Sequence, residues 1–208
     1  MKGLILKDIY NLRKYGKTLF LIAALYFMMS FMMDNADVFL GMIVIMFAIT
    51  TVTSFAYDSQ SGWDVYVNTL PVSRNDVVLS KYLLSLVLIL VGGLLAVLLG
   101  WVIGLIRNIG NFSETLLTAY ALCAVGLLFI SILLPFVYKF GVERARVIII
   151  AVVAVPVAAG FALSQAGALP QISVQTVTQM LWFSPLIVVV FGILSFRISS
   201  AVYRKKEV

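Results

Sequence analysis

The sequence predicts an all-α integral membrane protein with six transmembrane helices. Of its 208 residues, 62% are hydrophobic and 12% charged, and the mean hydropathy of +1.09 lies far outside the range of a soluble domain. Six apolar runs of roughly span length are separated by short polar connections, since a span needs about 20 residues. Lys and Arg gather in alternate connections, as the positive-inside rule requires of a multi-pass chain.

The first 17 residues, MKGLILKDIYNLRKYGK, bring Leu4, Ile5, Ile9 and Leu12 close to one helical face with Lys7, Asn11, Lys14 and Lys17 on others. This pattern predicts a basic amphipathic helix lying in the membrane interface. A secretory signal is the competing reading, but the basic region is long and no small-residue cleavage site follows Met33. The six spans are then Thr18 to Met33, Val38 to Tyr57, Val77 to Ile106, Thr115 to Tyr138, Val147 to Leu163 and Leu181 to Ile198. The third is long enough to tilt or to project beyond the bilayer. Apart from their flanks, the runs are expected to carry almost no charge, with no pair of buried acids to offer a proton route.

Between the second and third runs stands a polar island, SGWDVYVNTLPVSRNDVVLSK, from Ser61 to Lys81. Ser61 and Asp64 have capping-box spacing, predicting a helix from Gly62 that Pro71 ends. Trp63, Tyr66, Val67 and Leu70 follow at i, i+3, i+4 and i+7, one face of that helix. Such a face either anchors the island in the interface, as aromatic belts do, or docks a partner. Ser73 and Asp76 repeat the capping spacing at the entry to the third run.

Lys2, Lys7, Arg13, Lys14 and Lys17, then Arg74 and Lys81, then Lys139, Arg144 and Arg146, then Arg197, Arg204, Lys205 and Lys206 all fall on one side of a six-span path. Only Arg107 lies opposite, with Asp34, Asp37 and Glu114. Both termini and the island are therefore expected in the cytoplasm. This distribution also accounts for the net charge of +6 without nucleic acid.

Within the spans, Gly92, Ala96, Gly100 and Gly104 recur every fourth residue, as do Ala154, Ala158, Ala162 and Ala166. Small-xxx-small stripes allow close helix approach, within one chain or between two copies. Met46, Thr50, Thr53, Ser54 and Tyr57 share a face of the second span. Their hydroxyls either bond back to their own helix or line a substrate path. Pro156 and Pro185 are expected to kink the fifth and sixth spans. The connection Ser164 to Met180 carries Gln171, Gln175 and Gln179 at a spacing of four, a pattern for a short outer helix after Pro170.

The chain has no histidine, a lone Cys123 and no nucleotide-binding loop of the G-x-x-x-x-G-K-[ST] type. It is therefore not expected to be an enzyme, to hold a metal or to bind a cofactor, and any energy for transport must come through a partner. A passive channel or secondary carrier would place polar or ionisable groups at midplane, and a membrane anchor for an ATPase would need no path at all.

The island's YDSQSGWDVYVNTLPVSRNDVVLSKYLLS, above all Asn68 to Tyr82, together with the basic N-terminal helix and six spans, resembles the membrane subunit of ABC-2-type exporters. The compact length is similar to bacterial permeases such as the phenol-soluble modulin exporters, which pump amphipathic peptides. The resemblance implies a permease in the bacterial cytoplasmic membrane that exports hydrophobic or amphipathic substrates. It implies two separate ABC ATPase chains carrying ATP and Mg, and a second permease, either an identical copy or a paralogue. Gly62, Trp63, Tyr66, Val67, Leu70 and Pro71 would form the coupling helix that engages the ATPase, and the second and fifth spans would be walls of the path.

Overall fold

The computed structural model describes residues 2–32, 36–108, 112–165 and 174–205, and these are almost entirely helical. Helix α1 (Lys2–Arg13) turns at Lys14 and Tyr15 into α2 (Gly16–Met32). Helix α3 (Ala36–Gln60) leads to the one-turn α4 (Trp63–Tyr66) and a 3-10 turn at Val67–Thr69, and α5 (Arg74–Arg107), α6 (Phe112–Gln165) and α7 (Val174–Lys205) follow. Among the described residues, four helices are long and apolar enough to cross a membrane: those within α3, α5, α6 and α7. The apolar part of α2, Gly16–Phe31, is shorter.

The core lies where α3, α5 and α6 meet. Leu40, Val44, Ala48 and Val52 form an i, i+4 stripe along α3 and pack with Ile89 and Ala96 of α5 and with Ile130, Leu133, Leu134 and Val137 of α6. Small residues permit that approach. A Cβ on Gly92 would stand 3.0 Å from Phe47 Cβ, one on Gly100 would stand 2.8 Å from Thr115 Cγ2, and one on Gly93 would collide with Cys123 Sγ. Gly92, Ala96 and Gly100 are thus buried inside this chain and Gly104 partly so, whereas Ala154 and Ala158 are exposed on α6.

The segment expected as a connection between the fourth and fifth spans is helical on both sides of one residue. Gly141, at φ 78 and ψ 173, is the single non-helical point inside the 54-residue α6. At 1.5 Å per residue a straight α6 would reach about 80 Å, far beyond a ~30 Å hydrocarbon core, so the break at Gly141 divides two stretches of span length. Neither proline marks a break: Pro156 and Pro185 lie in continuous helix. The short outer helix expected after Pro170 falls partly outside the described residues. Residues 174–180 are the first turns of α7, and 166–173 lie outside the described residues.

Helix α5 is longer than a bilayer requires, its 34 residues rising about 51 Å. Its N-cap is Ser73, whose hydroxyl accepts a hydrogen bond from Asp76 N at 3.1 Å, as the spacing predicts. Its other end is tied to α2: Arg107 Nη2 donates to the Ser30 carbonyl at 2.7 Å. The arginine that departs from the charge pattern is therefore engaged at the end opposite the island.

Two expected outcomes follow from this packing. Gly93→Ala should lower the melting midpoint of detergent-purified protein by an amount equivalent to about 1–3 kcal/mol, with Cys123→Gly restoring it, because the clash is with one sulfur. Gly141→Ala, at a backbone conformation that is nearly glycine-only, should cost about 1–3 kcal/mol without rescue by Cys123→Gly.

Candidate functional site

At one end of the molecule six elements converge. Leu4 of α1, Val67 after α4, Val77 and Val78 of α5, Tyr138 of α6 and Tyr203 of α7 form a second buried cluster, with Phe55 of α3 and Trp63 against it. Both described chain ends therefore lie at the same end as the island. α5 and α7 are further joined there by polar contacts. Arg74 Nη1 donates to the Arg204 carbonyl at 2.6 Å, and Ser200 Oγ donates to Asn75 Oδ1 at 2.5 Å.

Beneath the island lies a closed ring of four charges. Asp8 Oδ1 and Oδ2 lie 3.0 Å from the ammonium groups of Lys7 and Lys81 respectively, and Asp58 Oδ1 and Oδ2 lie 2.5 and 2.6 Å from the same two. Lys81 also donates to Ser54 Oγ at 2.8 Å. The side chains of Asp8, Asp58 and Lys81 are 1%, 5% and 4% exposed, and that of Lys7 22%. Each carboxylate bridges both ammonium groups, so signs alternate around the ring and its charge sums to zero.

Taking any of these ions out of water alone would cost several kcal/mol, and only full pairing offsets the loss. The ring therefore favours one register of α1, α3 and α5, because α3 and α5 each bring a single charge of opposite sign and the Lys7–Asp8 pair of α1 bridges both. The island is tied to the ring through Trp63, whose ring centroid lies 4.1 Å from Lys7 Nζ, in cation–π range. A cavity of about 40 Å³ adjoins these groups, lined by Asp58, Trp63, Lys81 and Tyr138 among others. The buried Tyr138 hydroxyl has no hydrogen-bond partner among the described residues.

The island differs from its expected form. Gly62, at φ 67 and ψ 18, is the N-cap of α4, with no side-chain cap; Ser61 Oγ instead donates to the Asp58 carbonyl at 3.3 Å. The predicted Ser61 capping box is thus replaced by a left-handed glycine, a conformation available without a Cβ penalty. Leu70 is extended at φ −86 and ψ 150, as a residue before proline prefers, and Pro71 follows it. The four apolar residues are not presented together on one exposed face. Val67 is 3% exposed and Trp63 partly buried, both turned onto the protein, whereas Tyr66 is 56% and Val65 63% exposed.

The second-span residues divide as well. Thr50 is buried and donates to the Met46 carbonyl at 2.8 Å, and Ser54 belongs to the charge ring. Met46, Thr53 and Tyr57 are partly buried, Tyr57 lying edge-on to Tyr15 at 5.5 Å.

The expectation that the helices carry no interpretable charge and no pair of buried acids is overturned by the ring. Lys81 sits inside the Val77 to Ile106 run, and Asp8 lies one turn from both Leu4 and Leu12, the residues that bury the same face of α1. Those two placements were the available signal. Asp58 carried none, because it stands at the edge of its run.

Lys81→Met would leave Asp8 and Asp58 facing Lys7 alone, and should destabilise the purified protein by about 3–5 kcal/mol. Adding Asp58→Asn restores neutrality and should recover part of the loss in the same thermal melt; a double variant no better than Lys81→Met would contradict a neutral ring.

No curated protein and no solved structure matches the chain. A family model described as ABC-2 family transporter protein matches residues 3–204, from the start of α1 to the end of α7. That match takes in the charge ring, the island and every described long apolar helix, and the chain belongs to this family of ABC-2 transporter proteins.

Proposed function

We propose that the chain is the permease subunit of an ABC exporter, coupling ATP hydrolysis on separate ATPase subunits to export of hydrophobic or amphipathic substrates, peptides among them. The observation that carries the reading is the family match over residues 3–204, which makes the chain a multi-pass membrane component of an ABC transporter and implies ABC ATPase partners. Two ATPases and a second permease, identical or paralogous, would complete the assembly. Counting α2 and both halves of α6 with α3, α5 and α7 gives six spans, with both termini and the island in the cytoplasm by their Lys and Arg content.

The coupling role falls on the segment from Gly62 to Pro71, with contacts divided between its two sides. Val65 and Tyr66 are open to a partner, and Trp63 and Val67 rest on the body. A push on the exposed side would reach α1, α3 and α5 together, because the ring and the second cluster join them. Little motion would be lost in a flexible loop, since only Pro71, Val72 and Ser73 separate Leu70 from α5. ATP-driven closure of the ATPases would thus bias the arrangement of the spans. Substrates would meet a surface rich in apolar and Met side chains, which adapt to many shapes.

Tagged chain purified from its own membranes should carry a soluble ATPase. Val65→Asp and Leu70→Asp should reduce the recovered ATPase by about tenfold or more, the equivalent of about 1.4 kcal/mol at a contact. The melting midpoint should stay unchanged for Val65→Asp. Full ATPase recovery with both variants would remove this segment from the coupling role.

A further inference from the structure

Helices α5, α6 and α7 enclose a groove that the transport reading does not use. One cavity of about 550 Å³ is walled by Leu83, Leu86, Leu127, Val189 and Ile193, and reaches Phe196 and Arg197. A second, of about 320 Å³, begins at the same Phe196 and Arg197 and continues past Asn75 to Arg204. The two form one amphipathic trough, apolar along its length and cationic at the end nearest the chain terminus.

The hydroxyls in the apolar part are already engaged. Tyr82 OH bonds Ser195 Oγ and Ser199 Oγ at 2.6 and 2.8 Å, Ser85 Oγ donates to the Tyr82 carbonyl, and Ser131 Oγ to the Leu127 carbonyl. What remains for an occupant is hydrocarbon contact. From Val188 to Arg197 α7 rises about 13 Å, close to half of a ~30 Å hydrocarbon core. At the cationic end Arg197 is exposed and in no ion pair among the described residues, and Arg204 Nε reaches only the neutral Asn75 Oδ1 at 3.3 Å. Among the described residues, no acidic residue lines either cavity.

We propose that this trough binds one anionic phospholipid from the leaflet on the side of the chain termini, its acyl chain between α5 and α7 and its phosphate at Arg197 and Arg204. The length matches one leaflet, and the two guanidinium groups, with no carboxylate beside them among the described residues, select a net negative headgroup. Gly192 forms part of the floor, and a Cβ built there meets nothing within 4 Å. A larger side chain at that position would fill the trough without displacing the protein.

Native mass spectrometry of the intact detergent-purified chain, titrated with phosphatidylglycerol or phosphatidylcholine of identical acyl chains, tests this. The wild type should bind phosphatidylglycerol about thirtyfold more tightly, the preference expected of two engaged cations at about 1 kcal/mol each. Arg197→Gln should erase most of that preference. Gly192→Leu should weaken both lipids with an unchanged melting midpoint, and Arg13→Gln on α1 should match wild type. Equal binding of the two lipids by wild type, or lipid binding by Arg197→Gln and Gly192→Leu that matches wild type, overturns the proposal. Gly192→Leu that lowers the oligomer mass with lipid binding intact would assign the trough to a second copy and overturn it as well.

Discussion

Four charges cannot be buried at the foot of a membrane protein unless they neutralise one another, and this requirement organises the end of the molecule where the island sits. Lys7 and Asp8 arrive on α1, Asp58 at the end of α3 and Lys81 eight residues into α5, so neither α3 nor α5 can leave its place without stranding an ion, and α1, which brings one charge of each sign, closes the ring between them. Replacing such a ring by apolar side chains of equal volume need not lose stability. Its value lies in register: it permits one relative placement of three helices whose apolar surfaces alone would tolerate sliding.

Around that fixed point the remaining contacts are of two kinds. Toward the membrane interior, small residues of α5 let α3 and α6 close upon it, and packing is set by shape. Toward the chain termini, aromatic rings and polar atoms hold α7 against α6, with Tyr138 and Tyr203 edge-on at 5.5 Å and Ser195 Oγ donating to the Ser131 carbonyl. Among the described residues the second half of α6 and the first half of α7 have no comparable cover; Ile150, Val155, Val157 and Trp182 are all at least 65% exposed. Exposed apolar surfaces of this kind mark contact with a membrane or with another protein. The trough between α5 and α7 differs from them in carrying its own cationic end.

Much of the architecture was legible because hydropathy reports burial in lipid directly. The runs at 38–57, 77–106 and 181–198 lie within α3, α5 and α7, which extend beyond them by up to three residues in the first two and by seven at each end in α7, and Ser73 caps α5 because its spacing to Asp76 is local chemistry. The family resemblance carried by the island agrees with the match over residues 3–204. What was not legible depended on long-range partners. The Ser61 cap lost to a left-handed Gly62, and Trp63 turned inward because Lys7, 56 positions earlier in the chain, offers it a cation. Gly141 rather than a proline or a loop interrupts α6, since only glycine reaches that backbone conformation without strain. Lys81 was counted as a flanking charge, although its place inside an apolar run marked it as an ion needing a partner.

The central claim is that the charge ring holds the island to the spans. Hydrogen exchange on the purified chain, comparing wild type with Asp58→Asn/Lys81→Met, reads this at the backbone. The account predicts faster exchange across residues 63–70 and α1, with protection of α5 and α6 around Ile89 and Leu134 unchanged. Unaltered exchange over 63–70 in a variant that has lost the ring would show that the island is seated by apolar contact alone, and would contradict the account.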